Sequence, residues 1–183
     1  MKDLSLYYAV RDDMKTGDLL QWNSSSLLGS TIRMMTRDER RQFEIDAGID
    51  VNHSAGLIRI PLFEGMEERR FIPESLEHGP SLNILSKRLE DFDGEVWWYP
   101  IVASPEERIM WGENALDCIG CSIPYGYCDI VKFMTERPNI NHENGLFCSE
   151  FWMYCWGDTG KSMSPNGLTK HPRLENILPV RIL

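Results

Sequence analysis

Long apolar runs are missing from this chain, and that absence removes one class of function at once. No stretch reaches the ~20 residues that a bilayer-spanning helix needs. The opening MKDLSLYYAVRDDMKTGD mixes acidic and basic residues within its first thirteen positions. It lacks the apolar core of a secretory leader, so no transmembrane segment and no export by that route are expected. Basic residues are scarce as well: 19 Lys and Arg face 28 Asp and Glu, giving a formal net charge of −9 and a pI near 4.9. Phosphate neutralisation needs clustered cations, so no nucleic-acid partner is expected, and Glu39-Arg40-Arg41 reads as a solvated patch. There is no internal repeat, no low-complexity segment and no dividing linker. The five cysteines are an odd number and cannot all pair internally. Without a leader, the expectation is reduced thiols in a cytoplasm.

Cofactor signatures are also incomplete. Cys118-Ile119-Gly120-Cys121 has CxxC spacing with Cys128 close by, yet no second CxxC or His pair completes a tetrahedral zinc set. Gly157-Asp158-Thr159-Gly160-Lys161-Ser162 lacks the glycine spacing and the preceding strand of a phosphate loop. His78, His142 and His171 read as loop residues. No metal and no cofactor is therefore expected.

What remains is the composition of an ordinary soluble domain, 42% hydrophobic and 26% charged. A chain of 183 residues buries about 70% of its unfolded surface, enough for one domain over 1–183 without disulfides. Asp18 to Trp22 reads as a short strand, and Ser24-Ser25-Ser26 as the cap of a helix through Met35. Thr36 to Asp46 reads as a surface loop or helix end. His53 to Ile60 and Arg69 to Ser75, around a turn with Gly65, predict an antiparallel hairpin. Glu95 to Val102 predicts a strand buried on both faces, and Trp97, Trp98, Trp152 and Trp156 read as core. Pro105 opens a helix towards Leu116, and Asp129 to Met134 a further one. Cys148 to Trp156 predicts a buried helix ended by Gly157, with Cys155 packing inward. The tail, with Pro165, Pro172 and Pro179, reads as extended. The fold class is α+β, an antiparallel sheet packed against helices.

Three segments place a reactive side chain at an element boundary. In Gly145-Leu146-Phe147-Cys148-Ser149-Glu150 a cysteine starts an apolar helix, where partial positive charge favours thiolate and free N–H groups can hold an oxyanion. A buried helix cysteine is the plain alternative. In Asn52-His53-Ser54-Ala55 a histidine begins a strand, placed either as a general base or as a core hydrogen-bonding residue. In Phe71-Ile72-Pro73-Glu74-Ser75 a carboxylate on the returning strand can lie beside His53 and fix its tautomer, or simply be solvated. Glu64, in the turn, and Glu77, beyond the strand end, compete for that role; Glu74 is the choice.

Taken in order, these segments resemble the permuted NlpC-type papain-like cysteine hydrolases, in which His and an acidic residue precede Cys. The likeness runs from Gly17-Asp18 through Asn52-His53-Ser54-Ala55-Gly56 and Pro73-Glu74-Ser75-Leu76-Glu77-His78-Gly79. It continues through Pro124-Tyr125-Gly126 and Phe147-Cys148-Ser149-Glu150 to Ser164-Pro165-Asn166-Gly167-Leu168 and His171-Pro172. It implies a papain-like core and a triad carried onto Cys148, His53 and Glu74. It also marks Tyr125 and Ser149 as candidates for binding substrate or oxyanion, with aromatic packing beside Pro124 the other role open to Tyr125. The expected chemistry is acyl transfer to water from an amide or peptide, including peptidoglycan stem peptides. Lipid acyl hydrolysis or transfer, and a non-catalytic virion component, are the alternatives on the same fold. A phage-encoded or intracellular protein suits the small size.

Overall fold

Alternation along two aromatic strands sets the centre of the structure. The computed structural model describes residues 2–25, 27–60, 68–126, 139–140 and 145–183. In chain order the described elements are helix α1 (Ser5–Val10), strand β1 (Leu19–Ser24), and helices α2 (Leu27–Thr36) and α3 (Gln42–Asp46). Strands β2 (His53–Gly56), β3 (Ile58–Ile60), β4 (Arg69–Leu76) and β5 (Gly79–Ile84) follow, then helix α4 (Leu85–Asp91) and strand β6 (Gly94–Tyr99). Helices α5 (Pro105–Gly120), α6 (Cys148–Cys155) and α7 (Pro165–Leu168) and strand β7 (Val180–Arg181) complete the order. The expected turn at 61–67 and the expected helix at Asp129 to Met134 lie outside the described residues.

The strands form two antiparallel sheets, β2-β1-β6-β7 and β3-β4-β5. Successive strand residues point to opposite faces, so Leu19, Trp97 and Tyr99 enter one core with Trp111, Phe151, Trp152 and Trp156. Leu20, Trp22, Val96 and Trp98 enter the other, with Tyr7 of α1 and Leu85 and Leu89 of α4. Both faces of the central strands are thus covered, and the class is α+β with antiparallel sheets packed against helices.

Asp18 ties the end of this sheet to α5. Its carboxylate accepts from Trp98 Nε1 (2.9 Å), Ile101 N (3.1 Å), Lys15 N (2.9 Å) and Arg108 Nη1 (3.0 Å). Burial pushes its pKa up, more than these donors pull it down. Helix α5 starts where Pro105 predicts. Ser104 accepts from Glu107 N at 3.2 Å and Glu107 reaches back to Ser104 N at 2.9 Å, a reciprocal cap. The helix continues past Leu116 to Gly120.

The expected single hairpin from His53 to Ser75 is corrected. Gly56 is the last residue paired with β1, opposite Leu19, whereas Ile58 pairs with Phe71 of β4. The chain crosses between sheets at Leu57, which is fully buried and bonded through its N–H to Asp18 O and through its carbonyl to Gly17 N. The tight hairpin of β4 is made with β5 instead, through Glu77 and His78, and Gly79 there has φ +100°. The tail is corrected too. Pro165 and Pro172 open short helical turns, a position where a missing N–H costs nothing. Val180–Arg181 pairs with β6. Thr36 to Asp46 is more ordered than expected, with α3 burying Glu44.

Candidate active site

Each arm of the site is fixed by main-chain contacts before its side chain is considered. His53 begins β2 opposite Trp22. The residue before it, Asn52, bonds Ser24 three times: Oδ1 accepts from Ser24 N at 3.1 Å and from Ser24 Oγ at 3.2 Å, and Nδ2 donates to Ser24 O at 2.8 Å. Glu74 sits in the middle of β4, opposite Ser81. Its two neighbours are latched to the nucleophile segment: Trp152 Nε1 donates to Pro73 O at 3.0 Å, and Ser75 Oγ donates to Leu146 O at 2.6 Å. Trp152 lies flush on β2, because a Cβ added at Gly56 would stand 1.8 Å from its ring.

Cys148 is the first residue of α6 and is buried. Glu150 accepts from Phe147 N at 3.3 Å, leaving the Cys148 and Ser149 amides at the helix start. Gly145, at φ +95°, seats residues 145–147 against 124–126: an added Cβ would meet Pro124 O at 2.6 Å, and Leu146 N donates to Pro124 O at 3.1 Å. That packing delivers Tyr125 to the groove that Cys148 lines.

The three sequence-derived catalytic candidates come together. His53 Nε2 and Glu74 Oε2 are 2.8 Å apart, and the same imidazole shares its groove with the Cys148 side chain, near enough for that thiol to act on its pKa. With Nε2 on the carboxylate, Nδ1 is left for the sulfur. Burial pushes the imidazole towards its neutral form, but hydrogen bonds and charge from Cys148 and Glu74 outweigh it and raise His53 from 6.5 to about 9. Glu74 is fully buried, which alone would raise its pKa. His53 and Arg88 more than offset that and hold it below the usual carboxylate range. The arrangement is an imidazolium held between a sulfur and a carboxylate, with amide donors at the helix start.

Two partners of Glu74 escape sequence reasoning. Asn83 Nδ2 donates to Oε1 at 3.1 Å, and Arg88 Nε to the same oxygen at 3.0 Å. They lie on β5 and α4, elements the residue pattern did not suggest. The one available signal is the i, i+4 spacing of Arg88 and Phe92, which on a helix stacks a guanidinium on a ring.

The other candidates fall as follows. Ser149 Oγ donates to Met163 O at 2.6 Å, so what this residue offers an oxyanion is its main-chain N–H. Glu77 sits in the β4–β5 turn and lines the groove, without reaching the imidazole in the way Glu74 does. Glu64, Cys128 and His142 lie outside the described residues. Cys118 of α5 and Cys155 of α6 are buried in the same core, whereas Cys121 is exposed. His171, expected in a loop, is buried; its Nε2 is 2.9 Å from Asp158 and its ring lies against Trp156. Among the described residues no group of three His, Cys, Asp or Glu is placed to hold a metal ion, and no helix is long and apolar enough to cross a membrane.

The groove over Cys148 and His53 has a volume of about 360 Å³ and is walled by Ile32, Asn52, Leu76, Phe92 and Tyr125. A larger cleft of about 790 Å³ runs between β3 and α5 and contains none of the three reactive residues. No protein-family model matches this sequence, and no curated protein matches it either.

Proposed function

We propose that this protein is a cysteine hydrolase of the permuted papain-like type, cleaving an amide or peptide bond through an acyl-enzyme at Cys148. The observation that carries the reading is a single imidazole, His53, bonded to Glu74 at 2.8 Å and facing the groove that Cys148 also lines at the start of its helix. The order His53, Glu74, Cys148 along the chain, with α6 packed on β2 and β4, supports the permuted arrangement.

The steps follow from those contacts. His53 holds the thiol proton, and the Cys148 thiolate attacks the substrate carbonyl carbon. Main-chain N–H groups of Cys148 and Ser149 and the Tyr125 hydroxyl receive the oxyanion. The imidazolium returns its proton to the leaving amine as the C–N bond breaks, leaving a thioester. Neutral His53 then takes a proton from water, hydroxide adds to the thioester, and the acid product departs as the thiol is regenerated. Glu74 stays ionised and keeps Nε2 protonated throughout. Short peptides, peptidoglycan stem peptides among them, are the substrate class.

The test is alkylation by iodoacetamide at pH 6, where an ordinary thiol is protonated. Cys148 is expected to react well ahead of the exposed Cys121, and Cys148→Ala to abolish turnover of peptide amides. Labelling of Cys121 first, with Cys148 inert, refutes the proposal.

A further inference from the structure

Arg88 is pinned in the groove by three contacts that leave its terminal amines open. Nε donates to Glu74 Oε1 at 3.0 Å, and the guanidinium lies over the rings of Trp22 and Phe92 at 5.2 and 5.4 Å. Two rings and a carboxylate fix the plane of the fork, so little rotamer freedom is lost when it binds something more. The side chain is 27% exposed, on the wall of the groove that holds Cys148 and His53. Among the described residues, Nη1 and Nη2 have no hydrogen-bond partner.

The charges around it set what this fork can accept. Glu74 is saturated by His53, Asn83 and Arg88 and fully buried, so it neither binds a ligand nor faces one. The other charged or titratable groups on the groove wall are His53, Cys148, Tyr125 and the turn residues Glu77 and His78. A guanidinium with free amines matches a planar carboxylate through two parallel N–H donors. Volume also discriminates. About 360 Å³ lies at the small end of ligand pockets, ~300–1,000 Å³. Ile32, Leu76 and Phe92 supply apolar lining, but a groove of this size suits a short ligand better than a long acyl chain.

We infer that Arg88 binds a carboxylate of the substrate close to the scissile bond, so that the preferred substrates are short peptide amides carrying a free carboxylate beside the bond cleaved. This rests on the cysteine-hydrolase reading above and specifies its substrate.

Two alkylating agents separate the two ideas. Iodoacetate and iodoacetamide consume the same thiolate by the same displacement: an S–C bond forms and iodide leaves. The ratio of their rate constants at one cysteine therefore cancels thiolate population and reads preference for the carboxylate. At pH 7, with peptide-resolved mass spectrometry, the ratio at Cys148 is expected to exceed that at Cys121 by about tenfold. Arg88→Gln is expected to bring the ratio down to that of Cys121, and Arg88→Lys to restore part of it. Asn83→Ala, which disturbs Glu74 and keeps the Arg88 charge, should change both rates and leave their ratio high. A ratio equal to that of Cys121, or one unmoved by Arg88→Gln, overturns the inference while leaving a reactive Cys148 in place. Failure of both reagents to label Cys148 ahead of Cys121 overturns the hydrolase reading itself. A second measurement needs no variant: protection of Cys148 from iodoacetamide by an N-acetyl dipeptide acid, its carboxamide and glycerol 3-phosphate. The acid should protect best. Stronger protection by the carboxamide, or by glycerol 3-phosphate, overturns the carboxylate assignment, the latter in favour of a phosphate headgroup.

Discussion

Replacing Glu74 by Gln removes one buried charge and keeps the shape of the side chain, so its effect isolates electrostatics at His53. The rise of the imidazole from 6.5 to about 9 corresponds to about 3 kcal/mol of preference for the protonated ring. Burial opposes that rise, so Cys148 and Glu74 together supply more than the net figure; a roughly even split leaves Glu74 at least about 1.5 kcal/mol, and the His53 midpoint in Glu74→Gln should fall by at least about one pH unit. Stability follows by linkage. A histidine raised above its unfolded value adds stability that is complete below 6.5 and lost as the pH rises to about 9. Glu74, lowered from 4.5, adds stability present above that value and lost as the pH falls through its lower folded value. The advantage of the wild type over Glu74→Gln is therefore greatest between 4.5 and 6.5 and shrinks on the alkaline side. Histidine-selective NMR titration, with His53→Gln to assign the resonance, gives the midpoint; urea denaturation at pH 6 and pH 9 gives the stability difference. A His53 midpoint that does not move in Glu74→Gln refutes the reasoning, because the 2.8 Å contact would then carry no charge coupling.

Three further substitutions test the frame around the site. Gly56→Ala puts a Cβ 1.8 Å from the Trp152 ring and should cost about 1–3 kcal/mol by overpacking; a loss below about 0.5 kcal/mol in urea denaturation contradicts flush packing. Gly145→Ala places a side chain at φ +95° and 2.6 Å from Pro124 O, so stability should fall by about 1–3 kcal/mol and KM for a peptide amide should rise as Tyr125 shifts. Equal KM would remove Tyr125 from substrate binding. Ser75→Ala deletes the donor to Leu146 O, with an expected loss of about 1 kcal/mol and slower alkylation of Cys148; an unchanged rate would show that this latch does not position the nucleophile.

The elements that announce themselves in sequence are those with strong local signals. The β6 aromatics, the Pro105 start of α5 and the apolar run after Cys148 lie where the pattern put them. The pairing of His53 with Glu74 was legible for a looser reason, since two strand-prone runs bracketed a turn. Their real relation depends on a sheet crossing at Leu57, which no local pattern signals, because a strand passing between sheets has the same alternation as one staying in place. β5 and α4 were hidden by half-exposed surfaces: Leu82 and Ile84 of the edge strand face solvent, which blurs the period of two. Asn83 and Arg88 went with them. In the tail, prolines that look like breakers act as helix starters because a serine or histidine side chain caps each turn.

The crossing at Leu57 also gives the site a phase. One residue separates the last pair of one sheet from the first pair of the other, and each residue added or removed turns a strand's side chains to the opposite face. Deleting Leu57, or inserting a residue beside it, would let only one of the two sheets keep its register. Either His53 would face away from Glu74, or the β3–β4 ladder would turn its inward side chains to solvent. Length variation is thus forbidden at this joint even where substitution is tolerated, and a single-residue deletion scan from Asn52 to Ile60 should find its sharpest loss there.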